Sequence, residues 1–141
     1  MCPPQGLGLC IGDKWATWQL LEGWDHAGRD IGWAEMVAIE LVVLWLTQSS
    51  GHDHCLKVHG NNTSVIASFW KGQSRNAPLN HSLCRSSASL AASNLSIAPT
   101  YIPSALNKAD PLSRGLAGTD DCHVLPKIVL PNELCPSLDP I

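Results

Sequence analysis

The spacing of apolar residues changes along the chain, and each spacing predicts a different element. Near the start, Leu7, Leu9 and Ile11 alternate with small residues, which is typical of a half-buried strand. A glycine-aspartate turn signal follows, and the stretch Lys14–Leu20 resumes the alternation. Two strands joined by so short a turn are expected to form a β-hairpin.

The next segment predicts a long helix from Ile31 to about Gln48. Asp30 is suited to cap its start, and the Ser-Ser-Gly sequence after Gln48 favours its end. Because this segment is apolar on nearly every face, we expect the helix to be buried between layers. Two carboxylates interrupt it, Glu35 and Glu40, about 140° apart around the axis. Glu35 shares an apolar stripe, whereas Glu40 is expected to be partly solvated.

The remaining pattern predicts strands, helices and a tail. The predicted elements are a strand at Leu56–His59, helices at Thr63–Lys71 and Pro78–Ser93, a strand at Leu95–Ile102 and a short helix at Asn107–Arg114. The proline-rich residues from 116 onward predict an extended, loosely docked tail. The order of elements is that of a mixed α/β domain with helices packed on one central sheet.

Length and charge narrow the class of protein. A chain of 141 residues is one domain with room for a core. The net charge of −3 conceals an uneven distribution, because residues 54–109 contain five bases and no acid. Such a segment favours a polyanionic partner. The longest nearly unbroken apolar run, Met36–Leu46, is shorter than the roughly 20 residues that cross a bilayer, and the first residues lack a signal-peptide pattern. We therefore expect an intracellular protein that does not enter a membrane.

The six cysteines do not form a zinc-knuckle pattern, because no pair has the required spacing. The sequence His52-Asp53-His54-Cys55 is the one cluster of residue types that resembles a metal site. One interpretation of the chain is accordingly a small α/β interaction module that holds zinc at His52, His54 and Cys55. The other interpretation of this cluster is a solvated loop before a strand.

Four motifs together carry a more specific indication. They are Gly6–Gly12 followed by Trp15–Trp18, Asp30–Glu35, Leu56–Asn62 followed by Lys71–Asn76, and Asn107–Arg114 with its sequence Asn-Lys-Ala-Asp-Pro-Leu-Ser-Arg. With these four motifs in this order, the chain resembles a ribonuclease H domain of the kind attached to reverse transcriptases in fungal retroelements. The resemblance implies a ribonuclease H-like α/β fold, with a central mixed sheet and flanking helices, over residues 1–115, and a proline-rich tail over residues 116–141.

The resemblance also implies a site in which four acids hold two Mg²⁺ or Mn²⁺ ions. Glu35 matches the glutamate of the long helix, and Asp110 matches the final aspartate. Asn61 stands at the position of the strand-end aspartate. The first-strand aspartate is expected at Met1 or just upstream of it, so we expect the N-terminal strand to be clipped. With two of the four acids absent, impaired catalysis is expected.

In the resembling domains, basic and amide side chains follow the nucleic-acid backbone. The corresponding residues here are Asn62, Lys71, Arg75, Arg85 and Lys108. The expected partners are an RNA–DNA hybrid or another nucleic acid, and the parent reverse transcriptase if the chain is expressed in a polyprotein. Two alternatives remain, an active metal-dependent ribonuclease for RNA–DNA hybrids and the interaction module.

Overall fold

The computed structural model of the chain describes residues 6–11, 14–48, 55–60, 62–102 and 128–140. The elements in these ranges are β1 (Gly6–Ile11), β2 (Lys14–Leu20), α1 (Ile31–Gln48), β3 (Cys55–Gly60), α2 (Thr63–Lys71), α3 (Ala77–Ala92), β4 (Ser96–Tyr101) and β5 (Leu138–Pro140). The chain is a mixed α/β structure, which confirms the predicted class. The short helix expected at 107–114 lies outside the described residues.

Side-chain caps fix the starts of the three helices. Asp30 accepts a hydrogen bond from the backbone N–H of Trp33 at 2.9 Å, as the sequence predicts for the start of α1. Asn62 and Asn76 cap α2 and α3 in the same manner. At its other end α2 is closed by Gly72, whose φ of 84° is a left-handed conformation that glycine adopts without strain.

The five strands form two sheets in the described part of the chain, not the single central sheet that was expected. One sheet has the order β1-β2-β5 and is antiparallel, and the other pairs β3 with β4 in parallel. In the parallel pair Val58 lies beside Pro99 and Gly60 beside Tyr101. In these ranges β1 is paired only with β2, and β3 only with β4, so no strand pairing connects the two sheets.

The end of the chain is part of the fold, so the expectation of a loosely docked tail is wrong for residues 128–140. β5 pairs with the free side of β2, with Leu20 beside Leu138. Leu134 and Leu138 are only 1% and 4% exposed and join the core. The Gln48 side chain also binds both the N–H and the carbonyl oxygen of Val129. The free energy gained by burying the two leucines exceeds the tendency of the neighbouring prolines to keep the segment undocked.

Helix α1 is shared by two hydrophobic clusters on opposite sides of its axis. The first cluster joins α1 to the antiparallel sheet through Trp33, Ala34, Val37, Leu41 and Leu44. The second joins α1 to α2, α3 and β4 through Met36, Ile39 and Val43. The expected burial of α1 between layers is thus confirmed, and its all-round apolar character is explained by two partners.

The same helix is long and apolar enough to cross a membrane, by length and composition alone. Its 18 residues have a mean hydropathy of 1.4. The run of apolar residues from Met36 to Leu46 is shorter than the helix to which it belongs. Half of the helix is buried inside the structure, and the core helix of a water-soluble protein has the same length and composition. The helix is therefore weak evidence for a membrane span.

Candidate nucleic-acid and metal-binding residues

Glu35 lies near the start of α1, at the line along which the two clusters meet. Its stripe continues through Val42, which packs against the first cluster, and Leu46, which packs against the second. Glu35 itself is partly buried. Mg²⁺ takes several oxygen ligands, so Glu35 could bind this ion only if other residues supplied further oxygens.

Glu40 is buried, so the expectation of a partly solvated side chain is wrong. It is 1% exposed. The Ser82 hydroxyl donates to Glu40 Oε1 at 2.5 Å, Arg85 Nη2 donates to the same oxygen at 3.0 Å, and Arg85 Nε donates to Oε2 at 2.9 Å. Helix α3 therefore supplies the opposite charge and the hydrogen bonds that a buried carboxylate requires.

This pairing changes the interpretation of Arg85 as a nucleic-acid ligand. Its guanidinium makes two parallel hydrogen bonds to Glu40, and its side chain is 23% exposed. A phosphate could reach only the N–H groups that Glu40 does not bind, on a side chain that is mostly covered. Arg85 is thus placed to join α3 to α1, and the structure gives it a structural partner that the sequence did not indicate.

Asn62 is also engaged locally. Its side-chain oxygen accepts a hydrogen bond from the backbone N–H of Val65 at 3.1 Å, which caps α2. Capping uses only the oxygen, and an asparagine amide carries two N–H donors besides. Any contact of Asn62 with a phosphate would therefore come from its nitrogen.

Lys71 and Arg75 are exposed and flank the turn between α2 and α3. The turn is held by hydrogen bonds, since the Asn80 side chain accepts from the backbone N–H of Ser74, and the Asn76 side chain donates to the carbonyl oxygen of Gly28 at 2.9 Å. Two exposed bases are accordingly carried on a fixed turn. This is the part of the expected nucleic-acid surface that the described residues bring together.

The rest of the expected site lies outside the described residues. These positions are Met1, His52, His54, Asn61, Lys108 and Asp110, together with the side chain of Cys55. Within the described ranges no group of three histidine, cysteine, aspartate or glutamate residues is placed to hold a metal ion. A metal site formed by Glu35 and Asp110 therefore stays a prediction.

One feature of the surface gave no sequence signal. Trp70 and Tyr101 are 63% and 50% exposed, although aromatic residues in a helix and a strand are ordinarily assigned to the core. The indole N–H of Trp70 donates to the carbonyl oxygen of Pro99 at 2.9 Å. This contact joins α2 to β4, although the two residues are far apart in the sequence.

Comparison of the chain with protein-family models, with curated proteins and with solved structures gave no match. The class that the fold defines is a small mixed α/β protein.

Proposed function

We propose that the chain is a ribonuclease H-like domain derived from a retroelement reverse transcriptase, impaired in catalysis, that binds RNA–DNA hybrids through a basic surface. The observation that carries this proposal is a charge asymmetry. The described residues between 55 and 102 include four bases and no acid. Lys57, Lys71 and Arg75 are exposed, and no neighbouring carboxylate of this segment neutralises them. Such a surface attracts phosphates without reading sequence.

The four motifs in ribonuclease H-like order supply the argument for the class of nucleic acid. A hybrid contains an RNA strand whose 2′-hydroxyls distinguish it from DNA. The mixed α/β structure, with a buried helix that carries Glu35, is compatible with that class. Arg85 is left out of the proposed surface because Glu40 holds it.

Among the described residues, the acids do not make up the four carboxylates that the resembling domains use to hold two magnesium ions. Glu40, the second carboxylate of α1, does not replace a missing acid, since Arg85 and Ser82 already bind both of its oxygens. Asn61 offers a neutral oxygen where the resembling domains have a charge. The chain is therefore expected to bind hybrids without cleaving them efficiently.

The deciding experiment titrates a labelled RNA–DNA hybrid with the full chain at several salt concentrations. We expect affinity to fall steeply between about 50 mM and 200 mM salt, with no cleavage in Mg²⁺ or Mn²⁺. Lys71→Ala combined with Arg75→Ala should reduce the slope of log K against log salt by about 2. Lys127→Ala, which removes a base from the acid-rich end of the sequence, is the matched control. Absence of binding at about 50 mM salt contradicts the proposal.

An active hybrid ribonuclease is the second candidate, and the position of Glu35 favours it. The carboxylate is partly buried in α1, at the position of the helix glutamate that the resemblance implies as a metal ligand. Cleavage of the RNA strand that requires Mg²⁺ or Mn²⁺, and that Glu35→Gln and Asp110→Asn each abolish, would establish this activity. Cleavage that survives both substitutions would indicate a contaminating nuclease.

A further inference from the structure

We propose that Trp70 and Tyr101 form a stacking platform for unpaired bases of a single-stranded nucleic acid, with Lys71 beside it at the phosphates. Both rings are exposed, at 63% and 50%. Exposed aromatic rings next to a base are the means by which proteins bind single strands without sequence preference, because every nucleobase has a face that stacks.

A hydrogen bond fixes the position of Trp70. Its indole N–H donates to the carbonyl oxygen of Pro99 at 2.9 Å, so the ring lies against β4 and is not free to rotate into solvent. Pro99 has no N–H to offer to a further strand, which is the usual circumstance of proline at a sheet edge. The indole therefore satisfies an edge carbonyl while most of its ring remains exposed.

Tyr101 follows Pro99 by two residues in β4, so its backbone lies close to the carbonyl group that the Trp70 indole binds. Residues two apart in a strand share a face and lie about 6.6 Å apart. The two aromatic residues are thus held at the same part of the parallel pair, one by its strand and the other by its hydrogen bond to that strand.

Charge distinguishes a nucleic acid from a protein as the occupant. Lys71 follows Trp70 directly in α2 and is exposed. Because residues 54–109 contain no acid, no part of this segment repels a phosphate. An exposed aromatic pair in a protein interface has no need of such a one-sided charge.

The inference rests on the proposed function for its class of ligand and extends it to unpaired bases. In an RNA–DNA hybrid the bases are stacked and paired, and the basic surface meets only the backbone. The platform would instead hold an overhang or a displaced strand. Hybrid binding and single-strand binding are therefore separable properties of the same chain.

The test compares a short oligothymidylate with an abasic oligonucleotide of the same length, which has the phosphates but lacks the bases. Binding to the full chain is measured by fluorescence anisotropy at about 50 mM salt. The wild-type chain should bind the oligothymidylate at least about five-fold more tightly than the abasic strand. Trp70→Ala and Tyr101→Ala should each remove most of that ratio, whereas Tyr101→Phe, which retains the ring, should preserve it.

Val129→Ala is the matched control, because Val129 is exposed to 75% in a different part of the structure. Circular dichroism of each variant separates loss of binding from loss of folding. Equal affinity of the wild-type chain for the two oligonucleotides overturns the platform. If hybrid binding persists in that case, the proposed function stands, and if neither ligand binds, both proposals fail. Self-association that the two alanine variants abolish would assign the rings to a contact between copies of the chain and would likewise overturn the platform.

Discussion

Arg85 and Glu40, 45 residues apart in the chain, meet through two parallel hydrogen bonds between α3 and α1. The carboxylate is 1% exposed, and Ser82 completes its coordination. This ion pair joins two of the three helices of the second hydrophobic cluster, α1 and α3. Arg85 therefore has a structural role, whereas other basic residues, such as Lys71, have charges exposed to solvent.

Removal of one partner of the pair should destabilise the protein strongly. Arg85→Met leaves the Glu40 carboxylate buried without its counter-charge, and we expect the free energy of unfolding to fall by about 3 kcal/mol. Urea unfolding followed by circular dichroism measures the change. Arg75→Met, at an exposed position, should alter stability by no more than about 0.5 kcal/mol. Equal stabilities of the two variants would refute the structural role of the pair.

The double variant Glu40→Leu with Arg85→Leu should recover most of that loss. Neither charge then remains buried, and apolar replacements of a buried pair are often neutral or stabilising. The measured coupling between the two sites is expected to exceed about 1 kcal/mol. Additive effects would indicate that the two side chains do not interact.

Leu134→Ala should show that the C-terminal segment belongs to the core. The side chain is 1% exposed in the first cluster, and its truncation should cost about 2–5 kcal/mol. The same urea experiment on Val129→Ala, at a position 75% exposed in the same segment, provides the comparison. A loosely docked tail would make the two variants equally stable.

The asparagine caps of α2 and α3 should differ in strength. Asn62→Ala removes one capping hydrogen bond and should cost about 1 kcal/mol. Asn76→Ala removes a cap and the hydrogen bond to the carbonyl oxygen of Gly28, so its cost should be larger. Asn76→Asp retains the capping oxygen but not the amide donor, and we expect an intermediate stability. Thermal unfolding that ranks Asn62→Ala as the more harmful change would contradict this assignment.

Gly6→Ala should disturb the hairpin. A methyl group at Gly6 would clash with the carbonyl oxygen of Trp18 on the paired strand, and backbone cannot yield as a flexible side chain can. We expect a loss of about 1–3 kcal/mol in unfolding free energy. Gly60→Ala is the control, since its methyl group would approach Ile66 Cδ1 only to 3.8 Å, an ordinary contact distance. A Gly6 variant as stable as the Gly60 variant would exclude a close approach.

The sequence predicted the described helices and most strands because their signals are local. Asp30, which directly precedes the apolar run of α1, caps the helix as expected. A cap and the residues that it serves lie within one helical turn. The alternation in β1 and β2 is equally local and leads directly to the hairpin.

The misinterpreted features depend on contacts between distant residues. The position of Glu40 on α1 gives no sign that Arg85 will neutralise it from another helix. Leu134 and Leu138 stand among prolines without periodicity, so their burial follows only from the open side of β2. The candidate site is less complete than the fold, because Asn61 and Asp110 lie outside the described residues and their relation to Glu35 stays a prediction.

The pairing of β2 has a consequence for synthesis of the chain. One side of β2 is satisfied by β1 as soon as the hairpin has left the ribosome, whereas the other side waits for β5, near the opposite end of the sequence. Until β5 has been synthesised, that side presents unpaired backbone groups and an incomplete hydrophobic cluster. A nascent or prematurely ended chain would consequently be a substrate for chaperones or for aggregation at this strand.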